Sequence, residues 1–272
     1  MDGKDTFRNL YGESFEAYES PWDTDYFGVY SAKVILKAGM ADDESAELID
    51  FLSIFDFVTI INFDNNKLNN YWLGKNIGIY LADINVQFTK NIDSCFESES
   101  RAEVFEAYQY DDRVLEIARR AFKYSRFFND PNLPRDKAKR IYAHWAENAF
   151  AKTGRYYALA KHKGEISGFA LFSVDPDISL GTIELLAVDE DCRGVNAGKS
   201  LIAGMENSLK QMDIRNLNVG TQADNSSAMK FYMTCGFRPK TCNSVYHYWP
   251  KISNQIAANS QFKTIRSCLR VL

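Results

Sequence analysis

The stretch that most constrains this chain runs from Gly181 to Phe237, GTIELLAVDEDCRGVNAGKSLIAGMENSLKQMDIRNLNVGTQADNSSAMKFYMTCGF. A buried-strand pattern stops at Val188, a charged turn follows, and a loop of small residues opens into a helix. That helix is expected over Ala197 to Met212, with Leu201, Ile202, Met205, Leu209 and Met212 inward. IRNLNVGTQ then reads as a strand and NSSAMKFYMTCG as a second helix, capped by Asn225 and stopped by Gly236. Alternating strands and helices define an α/β layering, with GTIELLAV central in the sheet.

Upstream, residues 1–20 show little periodicity and read as a surface lead-in. In PWDTDYFGVYSAKVILK, Tyr30, Ala32, Val34 and Leu36 alternate with more polar neighbours, as in a half-buried strand. Asp42 and Asp43 are placed to cap a helix whose Leu48, Ile49, Leu52 and Phe55 share a face. FVTIINF, NNKLNNYWLG and IYLADINVQF then read as strand, short helix ended by Gly74, and strand. The result is a small β-α-β-α-β unit. The acidic, weakly patterned NIDSCFESESRAE is the expected boundary, separating a domain of residues 1–98 from one of 99–250.

In the second part, DDRVLEIARRAFKYS and RDKAKRIYAHWAENAFAK read as helices, kept apart by the two prolines of RFFNDPNLP. YYALAKHKGEISGFALFSVD reads as two strands joined by a Lys-Gly-Glu turn. The tail, 251–272, reads as a terminal helix packed by Ile252, Ile256, Ile265 and Leu269.

Composition narrows the function classes. A net charge of −4 without long blocks of one sign argues against a hold on the nucleic-acid backbone or an anionic membrane. The most apolar run, Phe51 to Phe63, is broken by Ser53, Asp56, Thr59 and Asn62, so no membrane insertion is expected. The amino-terminal residues lack a basic-then-apolar signal pattern. Five cysteines without a C-x-x-C pair disfavour disulfides and metal. A reduced, cytoplasmic setting is expected.

The loop from Cys192 to Ser200 carries the chemistry. Exposed backbone N–H groups at a helix amino terminus, with the positive end of the helix dipole, form a cradle for pyrophosphate. A Walker A loop is excluded, because Arg193 stands where its first glycine must be. A dinucleotide G-x-G-x-x-G is also unmet, since Gly194 and Gly198 are the only glycines there. The bland alternative is a tight strand-to-helix connection with no ligand. His144, His162 and His247 have no spacing around a nucleophile, and Cys192 and Cys235 lack a His-Asp arrangement.

Arg193-Gly194-Val195-Asn196-Ala197-Gly198 resembles the acyl-CoA loop of the GNAT superfamily of N-acyltransferases, [Q/R]-x-x-G-x-[G/A], after the strand-and-turn phrase ELLAVDEDC. Asn196 replaces a usual glycine, and asparagine is the least costly substitute where φ is positive. DNSSAMKFYMTCGF resembles that family's N-x-x-[AS]-x-x-[FLW]-Y-x-x-x-G-F segment. The resemblance implies a GNAT fold with a mixed sheet splayed at its centre, and acetyl-CoA or another acyl-CoA as cosubstrate without a metal. It puts Arg193 to Gly198 and Lys199 at the pyrophosphate, Asn225 near the pantetheine arm, and Tyr232 near the thioester sulfur as proton donor. A backbone N–H from Leu186, Ala187 or Val188 would meet the developing oxyanion. Glu184, expected on the strand face of Leu186 and Val188, is the candidate base. The bland alternatives are a helix cap for Asn225, core packing for Tyr232 and an ordinary strand residue for Glu184.

Four further segments resemble the TDP-fucosamine acetyltransferase group, which acylates nucleotide-linked amino sugars. They are Trp22-Asp23 with Phe27-Gly28-Val29, Ser125 to Phe127, Ile141 to Ala149, and Asn218 to Tyr232. The resemblance implies that 1–98 is a small α/β domain, a degenerate half of the same fold on the acceptor side. It implies a dTDP-linked amino-dideoxy hexose as acceptor, in bacterial surface polysaccharide synthesis. Trp22, Tyr26, Phe27, Tyr124, Arg126, Phe127, Tyr142 and Trp145 are candidates for the acceptor wall, each with core packing as its alternative. Two other functions remain open: transfer to a protein or polyamine amine, and acyl-CoA binding without catalysis. Oligomeric state is open too, with a homodimer as the candidate assembly.

Overall fold

The computed structural model describes residues 7–76, 78–92 and 100–255. In chain order the elements are β1 (Asn9–Tyr11), β2 (Phe15–Glu19), α1 (Pro21–Phe27), β3 (Ser31–Leu36), α2 (Asp42–Leu52), β4 (Phe57–Asn62), α3 (Lys67–Lys75) and β5 (Ile79–Asn91). There follow β6 (Glu103–Glu106), α4 (Asp112–Ala121), α5 (Arg135–Ala149), β7 (Arg155–His162), β8 (Glu165–Asp175), β9 (Leu180–Val188), α6 (Ala197–Gln211), β10 (Asn216–Gln222), α7 (Ser226–Thr234) and β11 (Arg238–Tyr248). The chain divides into two compact units between Ile84 and Asn85 and between Thr241 and Cys242. Both divisions fall inside strands, β5 and β11.

In the first unit the strands run β1-β2-β3-β4-β11. β3 and β4 are parallel, joined through α2, and the end of β11 closes antiparallel on β4 from Ser244↔Asn62 to Tyr248↔Val58. The expected alternation holds, with Ala32, Val34 and Leu36 buried. They pack with Leu48 and Leu52 of α2 and with Phe55 beyond its end. Asp42 and Asp43 lie inside the first turn of α2, with Ala41 at the cap position, so they complement the helix dipole instead of capping it. Gly74 lies within α3, which continues to Lys75. The lead-in is also structured. β1 and β2 form a hairpin that buries Phe15 and Ala17, a two-residue alternation too short to stand out as a period.

The second unit is a mixed sheet ordered β5-β10-β9-β8-β7-β6. In this order β9 and β10 pair in parallel, because α6 carries the chain across between them, and β5 with β10, β9 with β8, β8 with β7 and β7 with β6 pair antiparallel. Helices cover both faces. On one, Leu201, Ile202, Met205 and Leu209 of α6 and Tyr232 of α7 pack on Phe88, Phe172, Ile183, Leu217 and Val219. On the other, Val114, Leu115, Ile117 and Ala118 of α4 and Ala143 and Ala146 of α5 pack on Tyr157, Phe169, Leu171, Leu185 and Ala187. Met212, expected inward, is 37% exposed just past the end of α6. Lys90 of β5 and Glu206 of α6 form an ion pair with little exposure on either side. Ile252, expected to pack a terminal helix, is exposed, and Ile256, Ile265, Leu269 and the rest of 256–272 lie outside the described residues.

A fragment of residues 99–250 therefore lacks β5. It loses Phe88 and Ile92 from the core and the antiparallel partner of β10 from Asn85 to Asn91. Two buried apolar side chains contribute roughly 1.5–3 kcal/mol each, against a total stability of about 5–15 kcal/mol. With a whole ladder of hydrogen bonds gone as well, this fragment is expected to show no cooperative thermal transition by circular dichroism. The intact chain should show one.

Candidate active site

The central feature is a parting of two strands. β9 and β10 are in register from Leu180↔Asn216 only as far as Ile183↔Val219. Beyond that point β9 continues to Val188 and β10 to Gln222 without pairing, so the β9 edge from Glu184 to Val188 is free of the β10 ladder. At the same place β9 carries a bulge: Phe172 faces Ile183 and Leu171 faces Leu185, leaving Glu184 as the extra residue. A bulge bends the strand and re-aims its side chains. Ile183 points into the α6 side of the sheet, whereas Leu185 and Ala187 point to the α4 and α5 side. Leu186 and Val188 return to the α6 side. Glu184 is thereby removed from the face of Leu186 and Val188, where period-2 counting had put it.

After Val188 the chain turns through a short 3-10 segment, Glu190–Cys192, capped by Asp189 accepting from the Asp191 amide at 3.0 Å. Asp189 also pairs with Arg113 of α4, and these contacts hold its carboxyl below the usual range despite burial. Glu190 is held low first by Lys123, at 2.5 Å, and also sits 3.5 Å from Arg193. Gly194 (φ 86°) and Asn196 (φ 64°) both adopt the left-handed conformation. A β-branched residue at 196 would be strained there by about 1–2 kcal/mol, which explains asparagine. Gly198 is small for another reason: a Cβ there would lie 3.0 Å from the ring of Phe231, which would have to give way by a few tenths of an ångström. The first helical bond of α6 is Ser200 N to Asn196 O, so among the described residues the amides from Gly194 to Lys199 have no protein acceptor. These amides, Val195 exposed among them, form the anion cradle at the head of α6. Ala197 is buried beneath it.

Two turns of α7 carry the remaining pair. Asn225 is the cap, its side chain accepting from Ala228 N at 3.1 Å, as its pattern predicted. Its side-chain NH₂ keeps both donors. Tyr232 is 6% exposed among Phe88, Phe231 and Phe237. Burial, and secondarily the neighbouring Cys235 thiol, push its hydroxyl well above the ordinary tyrosine range, so it is a proton carrier at neutral pH.

On the other face, Glu184 pairs with Arg155 of β7 through Oε1 and accepts from Trp145 Nε1 of α5 at 3.2 Å through Oε2. Arg155 carried no sequence signal; only the bulge brings Glu184 to it. Tyr142 stacks on Phe122 with centroids 4.3 Å apart, and its hydroxyl reaches the Tyr124 carbonyl at 3.5 Å. Arg126 folds over the Phe127 ring at 3.9 Å, and Phe127 is buried. Tyr124 is 43% exposed. Trp22, Tyr26 and Phe27 belong to the first unit. Trp22 stacks on Tyr26 at 5.3 Å, while Phe27 is a core side chain against Phe57. His144 is held below its usual range by burial, and His247 is buried against Phe57. Among the described residues no group of three or more His, Cys, Asp or Glu is placed to hold a metal, and no helix is long and apolar enough to cross a membrane.

A sheet whose parallel pair parts beside an amide-lined helix head is the GNAT acyltransferase fold. Residues 112–237 match the acetyltransferase (GNAT) family and are a GNAT acetyltransferase domain. The chain is similar to the spore coat polysaccharide biosynthesis protein SpsD of Bacillus subtilis (strain 168), 31% identical over 140 residues. That match covers 51% of this chain and 47% of SpsD, so the chain spans about half the length of this curated relative. A GCN5-related N-acetyltransferase from Kribbella flavida has a TM-score of 0.59 at 12% identity, over 89% of each chain. A functionally unknown conserved protein from Staphylococcus epidermidis ATCC 12228 has a TM-score of 0.62 at 10% identity, over 90% of this chain and 94% of that one. Such structures share the fold.

Because Tyr232 binds its proton more tightly when folded than when unfolded, its effect on stability has a definite sign. Below the ordinary value of 10.0 it does not vary, and above that the unfolded state gains by ionising, so stability falls as pH rises. Tyr232→Phe should make the loss of Tm between about pH 10 and pH 12 shallower. An unchanged slope in thermal melts would show that the hydroxyl is not held in this environment.

Proposed function

We propose that the second unit transfers an acyl group from acyl-CoA to the amine of a nucleotide-linked amino sugar, with a dTDP-linked amino-dideoxy hexose as the preferred acceptor. The observation that carries this reading is the gap between β9 and β10 beyond Ile183 and Val219, opening beside amides of residues 194–199 that have no protein acceptor. An extended thioester arm fits between strands that no longer pair, and its pyrophosphate fits the cradle. The sugar acceptor is supported by the resemblance at Trp22 to Val29 and Ser125 to Ala149, and by the polysaccharide role in the relative's name.

The chemistry divides among residues of this chain. The amine must lose a proton before it attacks, and Glu184 accepts it; each carboxylate oxygen keeps a lone pair beside its contacts with Arg155 and Trp145. The nitrogen lone pair forms the C–N bond, and the carbonyl oxygen takes up negative charge toward the amides of Leu186 and Val188, which the alternation of the β8 ladder turns to the open edge while that of Ala187 faces Phe169. The C–S bond then breaks, the departing thiolate takes the proton of the buried Tyr232 hydroxyl, and the second proton leaving the nitrogen as the amide forms restores that hydroxyl by way of solvent. Asn225 steadies the arm with its side-chain NH₂, and Arg193 and Lys199 add positive charge near the phosphates.

Tyr232→Phe should lower kcat by roughly 10²–10⁴ with little change in acyl-CoA affinity. The substrate assignment is tested with dTDP-linked 3-amino and 4-amino sugars, a polyamine and a peptide amine, each with acetyl-CoA and longer acyl-CoAs, following free CoA thiol. Release with a sugar is expected. Release only with the polyamine or peptide would replace the acceptor, and acyl-CoA binding without any release would leave a non-catalytic binding protein.

A further inference from the structure

β5 and β10 share an unusual face. Their antiparallel register pairs Asn85 with Gln222, Gln87 with Gly220 and Thr89 with Asn218. The intervening residues Phe88, Leu217 and Val219 are buried toward α6, so these six lie together on the opposite face, the one α4 and α5 occupy further along the sheet. None of the six is charged. The row continues into β9, where Thr182 faces Asn218, and one step further along β9 lies Glu184, tied to Arg155 and Trp145.

Ordinary solvation does not account for this composition. Asparagine and glycine are poor strand formers, yet Asn85, Asn218 and Gly220 hold half of these positions. Two details point to a ligand. The Asn218 Oδ1 atom is buried without a hydrogen-bond partner, so the strand carries an acceptor that lacks a donor. Gly220 is exposed at the first rung beyond the parting, and a Cβ there would lie 2.4 Å from Gln87 Nε2 and 3.2 Å from Asn85 Oδ1. With glycine there those two amides, which bond to each other, lie across the strand; a Cβ would make the Gln87 side chain swing aside.

We infer that this amide ladder is the acceptor subsite, and that it reads the hydroxyl groups of an uncharged, polyhydroxylated ring bearing the amine. This rests on the acyl-transfer reading and names what its acceptor must look like. Side-chain amides offer a donor and an acceptor to each hydroxyl, and Asn218 Oδ1 receives the O–H or N–H it lacks. A polyamine or lysine acceptor calls for several carboxylates along its length; the ladder holds none, and the one carboxylate beside it, Glu184, serves the reacting amine. The ladder also lies on the face away from Tyr232, so acceptor and leaving thiolate work on opposite sides of the parted strands.

The test combines kinetics with side-chain amide NMR on the full chain. Asn218→Leu and Gly220→Ala should each raise the acceptor KM about tenfold while leaving the acyl-CoA KM unchanged. Removing an unpaired buried acceptor should also leave Tm of Asn218→Leu equal or higher, which a structural role would not allow. In wild type, the side-chain NH₂ signals assigned to Gln87, Asn85 and Asn218 should shift on titration with a dTDP-amino hexose. Sugar turnover with unchanged KM in both variants, or with no shift of these signals, overturns the ladder and leaves the function standing. Shifts without turnover support the ladder and remove the function. Neither turnover nor shifts overturns both.

Discussion

The second unit depends on a single irregularity, the extra residue at Glu184. In a regular β9, Glu184 would share a face with Leu186, which packs on the α6 side. The bulge instead turns one carboxylate toward α5 while the strand edge beyond it loses its partner. The bulge and the end of pairing fall at the same residue, so the opening and the polarity of its far wall meet there. The unpaired amides left behind would be a defect in a closed sheet; beside an anion cradle they are donors awaiting charge.

Much of this was legible in the chain. The left-handed Asn196, the cap at Asn225 and the stop at Gly236 are local properties, set by residue type over a few positions, and the structure has each of them. The family match at 112–237 likewise rests on contiguous phrases. What periodicity could not supply is anything requiring register. Counting by twos placed Glu184 with Leu186, because a bulge leaves no mark on hydrophobic alternation when both flanking residues are apolar. Arg155 and Trp145 become its partners only through pairing between distant strands. The hairpin of Asn9–Tyr11 with Phe15–Glu19 and the edge strand Glu103–Glu106 escaped for a simpler reason: three to five residues are too few to show a period.

The two units contrast at matching points in their chain order. Each has a parallel strand pair bridged by a helix, then a second helix capped by asparagine, Asn66 in α3 and Asn225 in α7. The first turns of the bridging helices differ in charge. α6 opens without an acidic residue, on free amides, whereas α2 opens on Asp42, Asp43 and Glu44, with Glu44 bonded to Ser14. An acidic first turn stabilises its own helix but repels phosphate, so of these two bridging helices α6 alone can head an anion cradle.

The course of β5 and β11 has a consequence for how the chain is born. As synthesis proceeds, β4 emerges with one edge matched to β3, but its other neighbour, Ser244 to Tyr248, is encoded nearly two hundred residues later. Until the ribosome reaches that point, the sheet of the first unit carries a bare edge of Val58 to Asn62, a run apt to recruit any passing strand. The later-made unit has the opposite schedule: β5, the antiparallel partner of β10, is already waiting when β10 appears. For these two units the order of completion therefore reverses the order of translation, and β4 is made early but secured late.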